Sequence, residues 1–337
     1  MQNKLLNKLN ITCLLTLTTA TSALACNGSH VLGVAGSSAV YTISANTMEE
    51  GSFYLGANME RVSNNTLSDA KMIEAMRNGS EHLHNIDAIN SYSLSLSYGI
   101  TSNLSLNMQL PYVVRTNIRA GENNGGTYEV HPHGDTQGIG DTSAILQYKV
   151  YDEAFKVAIL GGIKAPTGKT DAADGNKVLE ADLQPGSGSW DLFAGASVTK
   201  DFDTVSLHSN ILYKQNNKGV EDSQLGDIFL YNVALSYRLF ESKHDHELRE
   251  LHSQEEFGYS ADVFMELNGE QAQKDRFGGI RSENTGHNVV FATAGVQMAT
   301  DSGYSVFLTY STPIYQDFNG VQNDISYKSS FGIGKSF

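Results

Sequence analysis

The most constraining feature of this chain is a strict two-residue alternation over residues 91–98, Ser-Tyr-Ser-Leu-Ser-Leu-Ser-Tyr. Successive side chains of a β-strand point to opposite faces, so the large apolar residues share one face and the serines share the other. Similar runs recur along the chain, and the last of them ends at Phe337, the final residue. Strands that are apolar on one side and small and polar on the other, repeated to the C-terminus, are typical of a transmembrane β-barrel.

The first 25 residues have the organisation of a secretory signal peptide. Lys4 and Lys8 precede an apolar stretch over residues 11–17, and Ala23-Leu24-Ala25 supplies the small residues of a cleavage site. The apolar stretch is too short to span a bilayer. We therefore exclude residues 1–25 from the fold.

The mature chain then divides into two parts. Residues 26–50 form an N-terminal periplasmic or lumenal segment, and residues 51–337 form the barrel. Cys26 becomes the first mature residue, either as a lipidated cysteine or as an ordinary residue left by cleavage. Ala23, where a lipoprotein signal usually has leucine, favours ordinary cleavage.

The alternating runs predict an all-β fold, an antiparallel up-and-down barrel of about twelve strands with long extracellular loops. The candidate strands are about 51–62, 89–100, 104–117, 139–151, 155–165, 188–200, 204–215, 227–240, 257–268, 288–299, 304–315 and 325–337. Tight turns alternate with long loops at 63–88, 118–138, 166–187, 216–226, 269–287 and 316–324. The connection 241–256 breaks this alternation, and its composition favours a short helix.

Charge follows the same two-residue period. The residues predicted to face the lumen are Ser93, Ser95, Asn107, Gln109, Lys156, Lys164, Asn232, Arg238, Asp262 and Glu266. Because an Arg or Lys facing lipid near mid-bilayer would cost about 2–4 kcal/mol, this period places the charges where water can reach them. A soluble β-sandwich also alternates, but its exposed face is usually rich in Lys, Glu and Thr, whereas here the polar face is mainly Ser, Gly, Asn and Ala.

The formal net charge of −14 argues against nucleic acid as a partner, because phosphate binding needs a basic surface. It is compatible with attraction of cations to the loops or lumen. Six aromatic residues of the predicted strands are expected at the membrane interfaces. They are Tyr112, Tyr148, Trp190, Tyr213, Tyr310 and Tyr315.

Several glycine-rich strand ends resemble those of a known family. They are the stretches Gly138–Asp141, Gly161–Gly168, Gln184–Asp191, Leu225–Asp227 with Tyr231-Asn232, and Ile43–Met48. Together they resemble the outer-membrane proteins grouped as "MetA-pathway of phenol degradation", which are often called transporters. The resemblance implies an outer-membrane barrel with a transport role, and it carries over no binding residues.

Histidines two residues apart form the main candidates for metal chemistry. His82/His84 and His131/His133 fall on predicted extracellular loops among carboxylates, where their imidazoles could share a divalent metal. The pair His244/His246, near His252, lies on the opposite side. The alternative is that these histidines are ordinary polar loop residues and that the protein has no cofactor.

No enzymatic activity is expected. His208 and Ser209 are adjacent on one strand and so point to opposite faces, which prevents them from acting as a catalytic pair. The stretch 186–189, Gly-Ser-Gly-Ser, lacks the order and the strand-turn-helix setting of a nucleophile elbow.

Two functions fit these patterns. The first is a channel of the bacterial outer membrane for passive passage of small solutes, including small aromatic or hydrophobic compounds, because the lumen face is small and polar. The second is a non-conducting barrel whose loops bind divalent metal or a partner. In both cases the expected partners are membrane lipid, lipopolysaccharide and the barrel-assembly machinery. The barrel-assembly machinery would recognise the C-terminal strand that ends at Phe337.

Overall fold

The computed structural model describes residues 39–80, 83–242 and 258–337. Within these residues, twelve antiparallel strands close into one barrel, which confirms the predicted fold class. The strands are Phe53–Asn65 (β1), Ala88–Thr101 (β2), Leu104–Asn124 (β3), Thr142–Asp152 (β4), Lys156–Ala165 (β5), Asp191–Asp201 (β6), Val205–Gln215 (β7), Ile228–Glu241 (β8), Tyr259–Ala272 (β9), His287–Thr300 (β10), Tyr304–Phe318 (β11) and Asp324–Ser336 (β12).

The first and last strands close the barrel. β1 pairs with β12 from Tyr54↔Ser336 to Asn65↔Asp324. Phe53 and Phe337 exchange backbone hydrogen bonds of 3.2 and 2.8 Å, and their rings stack with centroids 4.6 Å apart. Since every barrel strand has two neighbours, the backbone groups within the membrane are paired without an open edge.

The two faces of the strands differ as the alternation predicts. In β2, Leu94 is 63 % exposed whereas Ser93 is 3 % exposed. The six aromatic residues expected at the membrane interfaces are all exposed. The outer surface is therefore an apolar belt, and the small polar side chains point into the barrel.

β3 extends well beyond its predicted end at residue 117, and the predicted long loop at 118–138 is a β-hairpin. Its upper part pairs with a further strand, Thr127–Ile139, in a hairpin that stands above the barrel wall, while its lower part pairs with β4. The reversal is made by Gly125 and Gly126, both at positive φ. The sequence Asn-Asn-Gly-Gly at 123–126 is itself a hairpin signal.

The remaining elements lie in the long connections. A helix, Asp69–Arg77 (α1), is capped by the Ser68 hydroxyl and packs Met72 and Met76 against Leu83. Short strands occur at His84–Asn85, at Ala173–Asp174 with Lys177–Val178, and at Arg276–Phe277 with Ile280–Arg281, and 3-10 turns occur at Ala181–Leu183 and Val220–Asp222. These elements gather at one end of the barrel, opposite the tight turns.

Parts of the chain singled out above lie outside the described residues. They are the signal peptide and Cys26, His82, and the segment 243–257 with His244, His246, His252 and the expected helix. Among the residues that are described, no helix has the length and apolar composition needed to cross a bilayer.

Candidate functional site

Residues 39–48, which precede β1, lie inside the barrel; we call them the lumen segment. Residues 39–45 are 0–6 % exposed, although they belong to no strand or helix. Thr47 donates a 2.8 Å hydrogen bond to the carbonyl of Ser102, in the tight turn between β2 and β3. The segment therefore connects the tight-turn end of the barrel with the middle of its wall.

Glu266, an inward-facing residue of β9, binds the upper part of the lumen segment. Its Oε1 accepts from the backbone N–H of Val40 at 2.8 Å and of Tyr41 at 3.3 Å. Its Oε2 accepts from the Thr42 hydroxyl at 2.7 Å. One carboxylate thus satisfies three donors of a segment that has no strand partner.

The lower part of the lumen segment is bound by amide and hydroxyl groups of other strands. Gln147 donates from Nε2 to the carbonyls of Ser44, at 2.8 Å, and Asn46, at 3.0 Å. The Ala45 N–H donates to Thr199 Oγ1 at 2.9 Å, and the Met48 N–H donates to a serine of β3 at 2.8 Å. Buried backbone polar groups need partners, and here the lumen wall supplies them as side chains.

Beside Glu266 the lumen contains a mixed aromatic and charged cluster. Tyr41 packs with Val40 and Phe264, with Phe307 against this group. The ammonium of Lys328 lies 4.6 Å from the Tyr41 ring centroid and 4.0 Å from that of Phe291. These contacts place an aromatic side chain of the lumen segment against the wall at mid-barrel.

A second charged cluster lies toward the end with the long loops. Lys164 of β5 contacts Asp141 at 2.5 Å and Asp191 at 2.8 Å, and Lys214 lies 3.6 Å from Asp191. Ser187 donates to Asp141 through its backbone N–H, at 2.9 Å, and through its hydroxyl, at 2.8 Å. Burial opposes ionisation of Asp141, but Lys164 and Ser187 outweigh it and hold the pKa of Asp141 below its usual range.

This cluster ties the loop between β5 and β6 into the barrel mouth. Gly168 and Gly186 meet so closely that a Cβ on either would lie 2.6 Å from the Cα of the other. Asp141 Oδ1 accepts from the Gly168 N–H at 3.0 Å. The glycine-rich stretches that carry the family resemblance at 138–141, 161–168 and 184–191 therefore converge at one place, which sequence spacing alone did not reveal.

The ten residues predicted to face the lumen are all buried or half-buried in the structure. Ser93, Gln109, Lys164, Asn232, Asp262 and Glu266 are buried, and Ser95, Asn107, Lys156 and Arg238 are half-buried. Glu266 and Lys156 contact the lumen segment, the latter through the side chain of Asn46 at 2.9 Å. Arg238 pairs with Asp262 near the tight-turn end.

The loop histidines that are described do not form one cluster. His84 Nδ1 lies 2.8 Å from Asp182 and its Nε2 lies 3.6 Å from Glu180, and ligand atoms of these three residues lie within 4.8 Å of one another. His131 instead lies 3.4 Å from Glu129, and His133 lies 2.9 Å from Asp174.

A cavity of about 500 Å³ lies between α1, the β3 hairpin and the β5–β6 loop. Both His84 and His133 line it, together with Glu122 and Glu180. Burial opposes protonation of His84, but Asp182 and Glu180 outweigh it and raise the pKa of His84 to about 9. Proton and metal would therefore compete for this imidazole.

Sequence reasoning missed Tyr41, Glu60, Lys328, Asp141 and Asp191. Tyr41 lies in a segment with no periodic pattern, and nothing local shows which wall residue it would meet. Glu60 and Lys328 are inward-facing charges of the first and last strands, which the two-residue period could have identified. Asp141 and Asp191 each end a glycine-rich stretch, and this position was the only sequence signal that could have identified them.

A closed twelve-stranded barrel with an apolar outer belt and a polar lumen defines the protein as an outer-membrane β-barrel. A family model described as "Putative MetA-pathway of phenol degradation" matches residues 91–312. Because the match covers more than half of the chain, the protein belongs to this family.

Several solved structures resemble this chain at low sequence identity. An outer membrane channel from Pseudomonas putida F1 matches with a TM-score of 0.55 and 12 % identity, over 87 % of this chain and 98 % of that one. The beta domain of the Bordetella autotransporter BrkA gives 0.44 and 12 %, over 86 % and 100 %. The CymD monoaromatic hydrocarbon channel gives 0.41 and 12 %, over 86 % and 89 %. Only the first likeness is close enough to support the fold.

Proposed function

We propose that this protein is an outer-membrane channel for small solutes and that the lumen segment closes it. The observation that carries the proposal is the way the lumen is filled. Wall side chains such as Glu266 and Gln147 form hydrogen bonds to the backbone of residues 39–48. The polar side chains of the wall hold a single segment that is not itself a strand of the barrel. If this segment leaves the lumen, the passage through the barrel opens.

The barrel size supports this proposal. Eight-stranded barrels are filled by their own side chains, whereas barrels of sixteen to eighteen strands enclose a water channel. Twelve strands enclose an intermediate space, which here accommodates one extended chain. Solutes passing through it would be of similar cross-section, which is the reason to favour small organic compounds, including aromatic ones.

Planar-bilayer conductance tests the proposal. The chain refolded from residue 26 onward is compared with a chain that begins at Glu49 and so lacks the lumen segment. We expect little current from the longer chain and a steady, salt-dependent current from the shorter one. If the shorter chain folds, as judged by heat-modifiable electrophoretic mobility, but carries no current, the channel proposal fails.

A second candidate function is capture of divalent metal by the loops. The juxtaposition of His84, Glu180 and Asp182 favours it, since imidazole and carboxylate oxygens are ordinary Zn²⁺ ligands. Binding would tighten as the pH rises, because Zn²⁺ must displace the proton held by His84.

Calorimetry with Zn²⁺ separates this second function from the first. We expect His84→Ala to abolish Zn²⁺ binding and His131→Ala, outside the cluster, to leave it unchanged. Absence of binding by the wild type at pH 7 and at pH 9 would exclude the metal function.

A further inference from the structure

We propose that a cavity between the barrel wall and the β5–β6 loop is a binding site for a small carboxylate, with Arg115 of β3 as its main cation. The cavity has a volume of about 60 Å³. Arg115, Lys164 and Lys214 line it from the strands, and the loop contributes Asp182 and Ser187 among others. The proposal goes beyond the channel function, because binding in this cavity does not require that the barrel conducts.

Arg115 is a buried cation without a counterion. It pairs across the sheet with Ile89 of β2, and each of these residues is 5 % exposed. Within the described residues, its Nε and Nη1 have no hydrogen-bond partner and its guanidinium forms no ion pair. Arginine is almost never fully buried unless it is paired, because an uncompensated buried charge is strongly destabilising. The two nitrogens therefore mark a place for an acceptor that the described chain does not supply.

The carboxylates around the cavity already have other cations. Asp182 contacts His84 at 2.8 Å. Asp141 and Asp191 contact Lys164 at 2.5 and 2.8 Å, and the second lysine of the lining lies 3.6 Å from Asp191. Two lysines thus balance two aspartates, and the guanidinium remains as an excess positive charge in a protein whose formal net charge is −14. This local excess attracts an anion.

The size and the lining of the cavity favour a carboxylate over other anions. One water molecule needs about 10–15 Å³ of such space, so the cavity accommodates a group of only a few heavy atoms. The planar guanidinium matches the two oxygens of a carboxylate in geometry. Pro111, Val113 and Pro185 also line the cavity, and their apolar surface can contact a short alkyl chain. A chloride or phosphate ion would gain nothing from that surface.

The position of the cavity gives the site a consequence for transport. Ser187 and Asp141 tie the loop to the wall at the end with the long loops, so the site lies at the barrel mouth. Small organic acids that enter the barrel from this end would be selected there. This consequence rests on the proposed channel function, whereas binding itself does not.

An NMR titration with ¹³C-labelled acetate tests the site. The refolded chain from residue 26 onward receives acetate in exchange for chloride, so that the ionic strength stays constant. We expect saturable binding of acetate. Acetamide has the shape of acetate but no charge, and we expect it to bind at least about ten-fold more weakly, because hydrogen bonds to a charged group are the stronger ones.

Variants assign the binding to the unpaired guanidinium. Arg115→Gln should weaken acetate binding at least about ten-fold, and Arg115→Lys, which keeps the charge, should bind acetate more tightly than Arg115→Gln. Arg238→Gln is the matched control, since Arg238 already has Asp262 as its partner near the tight-turn end. It should bind acetate as the wild type does. If Arg115→Gln does not fold, Arg115→Met, which removes the same charge, replaces it in this comparison.

Four results would overturn the proposal. They are absence of saturable acetate binding, equal binding of acetate and acetamide, unchanged binding by Arg115→Gln, and displacement of bound acetate by an equal concentration of chloride. These results are independent of conductance. Current through the chain beginning at Glu49 without acetate binding refutes the carboxylate site alone, and acetate binding without current refutes the channel alone.

Discussion

The Thr42 hydroxyl donates a 2.7 Å hydrogen bond to Glu266, 224 positions away in the sequence. This contact joins the lumen segment to a charged residue in the middle of the barrel wall. It also defines the point at which the segment is most strongly held, since the same carboxylate accepts from two backbone N–H groups.

Glu266→Gln should release the lumen segment. The substitution keeps the shape of the side chain but removes its charge, and hydrogen bonds to a charged group contribute about 1.5–3 kcal/mol each. We expect the ratio of open to closed time in planar bilayers to rise at least about ten-fold, which corresponds to about 1.4 kcal/mol. Glu153→Gln, the same change in the exposed turn between β4 and β5, should have no effect, and an unchanged ratio in Glu266→Gln would contradict this role.

The ion pair between His84 and Asp182 should hold the β5–β6 loop in a pH-dependent way. The pKa of His84 is raised from 6.5 to about 9 in the folded protein. Its stabilising contribution is therefore complete below pH 6.5 and is lost as the pH rises through 9. We expect proteolysis of residues 166–190 by proteinase K to accelerate between pH 7 and pH 10.

Variants test the assignment to this pair. Asp182→Asn should already be cleaved rapidly at pH 7 and should show little further change with pH. Asp174→Asn removes the charge of the carboxylate that pairs with His133, which is more exposed than Asp182. This variant should keep the wild-type pH profile. A pH profile in Asp182→Asn identical to that of the wild type would exclude His84 as the titrating group.

Asp275, in the loop between β9 and β10, should destabilise its loop at neutral and alkaline pH. Burial raises the pKa of Asp275 to about 7, although its carboxylate accepts from the Gly226 N–H at 2.6 Å. A raised pKa means that the loop is most stable below the ordinary pKa near 4 and loses stability as the pH rises through 7, by on the order of 4 kcal/mol.

We therefore expect Asp275→Asn, which keeps the acceptor for Gly226, to slow hydrogen exchange in residues 273–286 at pH 8. At pH 4 the variant and the wild type should exchange alike. Slower exchange at both values would indicate a packing effect instead of the removal of a buried charge.

Gly168→Ala should prevent the β5–β6 loop from docking. The added Cβ would meet the backbone of Gly186 at 2.6 Å and a side-chain oxygen of Asp141 at 2.8 Å. Gly161→Ala, in the same glycine-rich stretch, has nothing within 4 Å of its Cβ and is the matched control. We expect only the first variant to lose protease resistance in residues 166–190, and resistance in both would contradict the close packing.

The sequence by itself determined the barrel. The alternation at 91–98 and in the other runs is a local property, because side chains of a strand point to opposite faces whatever its neighbours are. It therefore identified the strands and their number, and it predicts that Lys164, Asp262 and Glu266 face inward. It predicts that β3 ends at residue 117, which is too early, because the turn signal at 123–126 lies within a polar stretch.

Only the tertiary structure decided what fills the lumen and which loop residues meet. Ala45 and Thr199 are 154 positions apart, and Val40 and Glu266 are 226 apart. His84 meets Asp182 and not His131, because α1, the β3 hairpin and the β5–β6 loop fold over the barrel end independently of the strand pattern. Such contacts depend on where a closed barrel brings distant segments together, and a two-residue period contains no information about that.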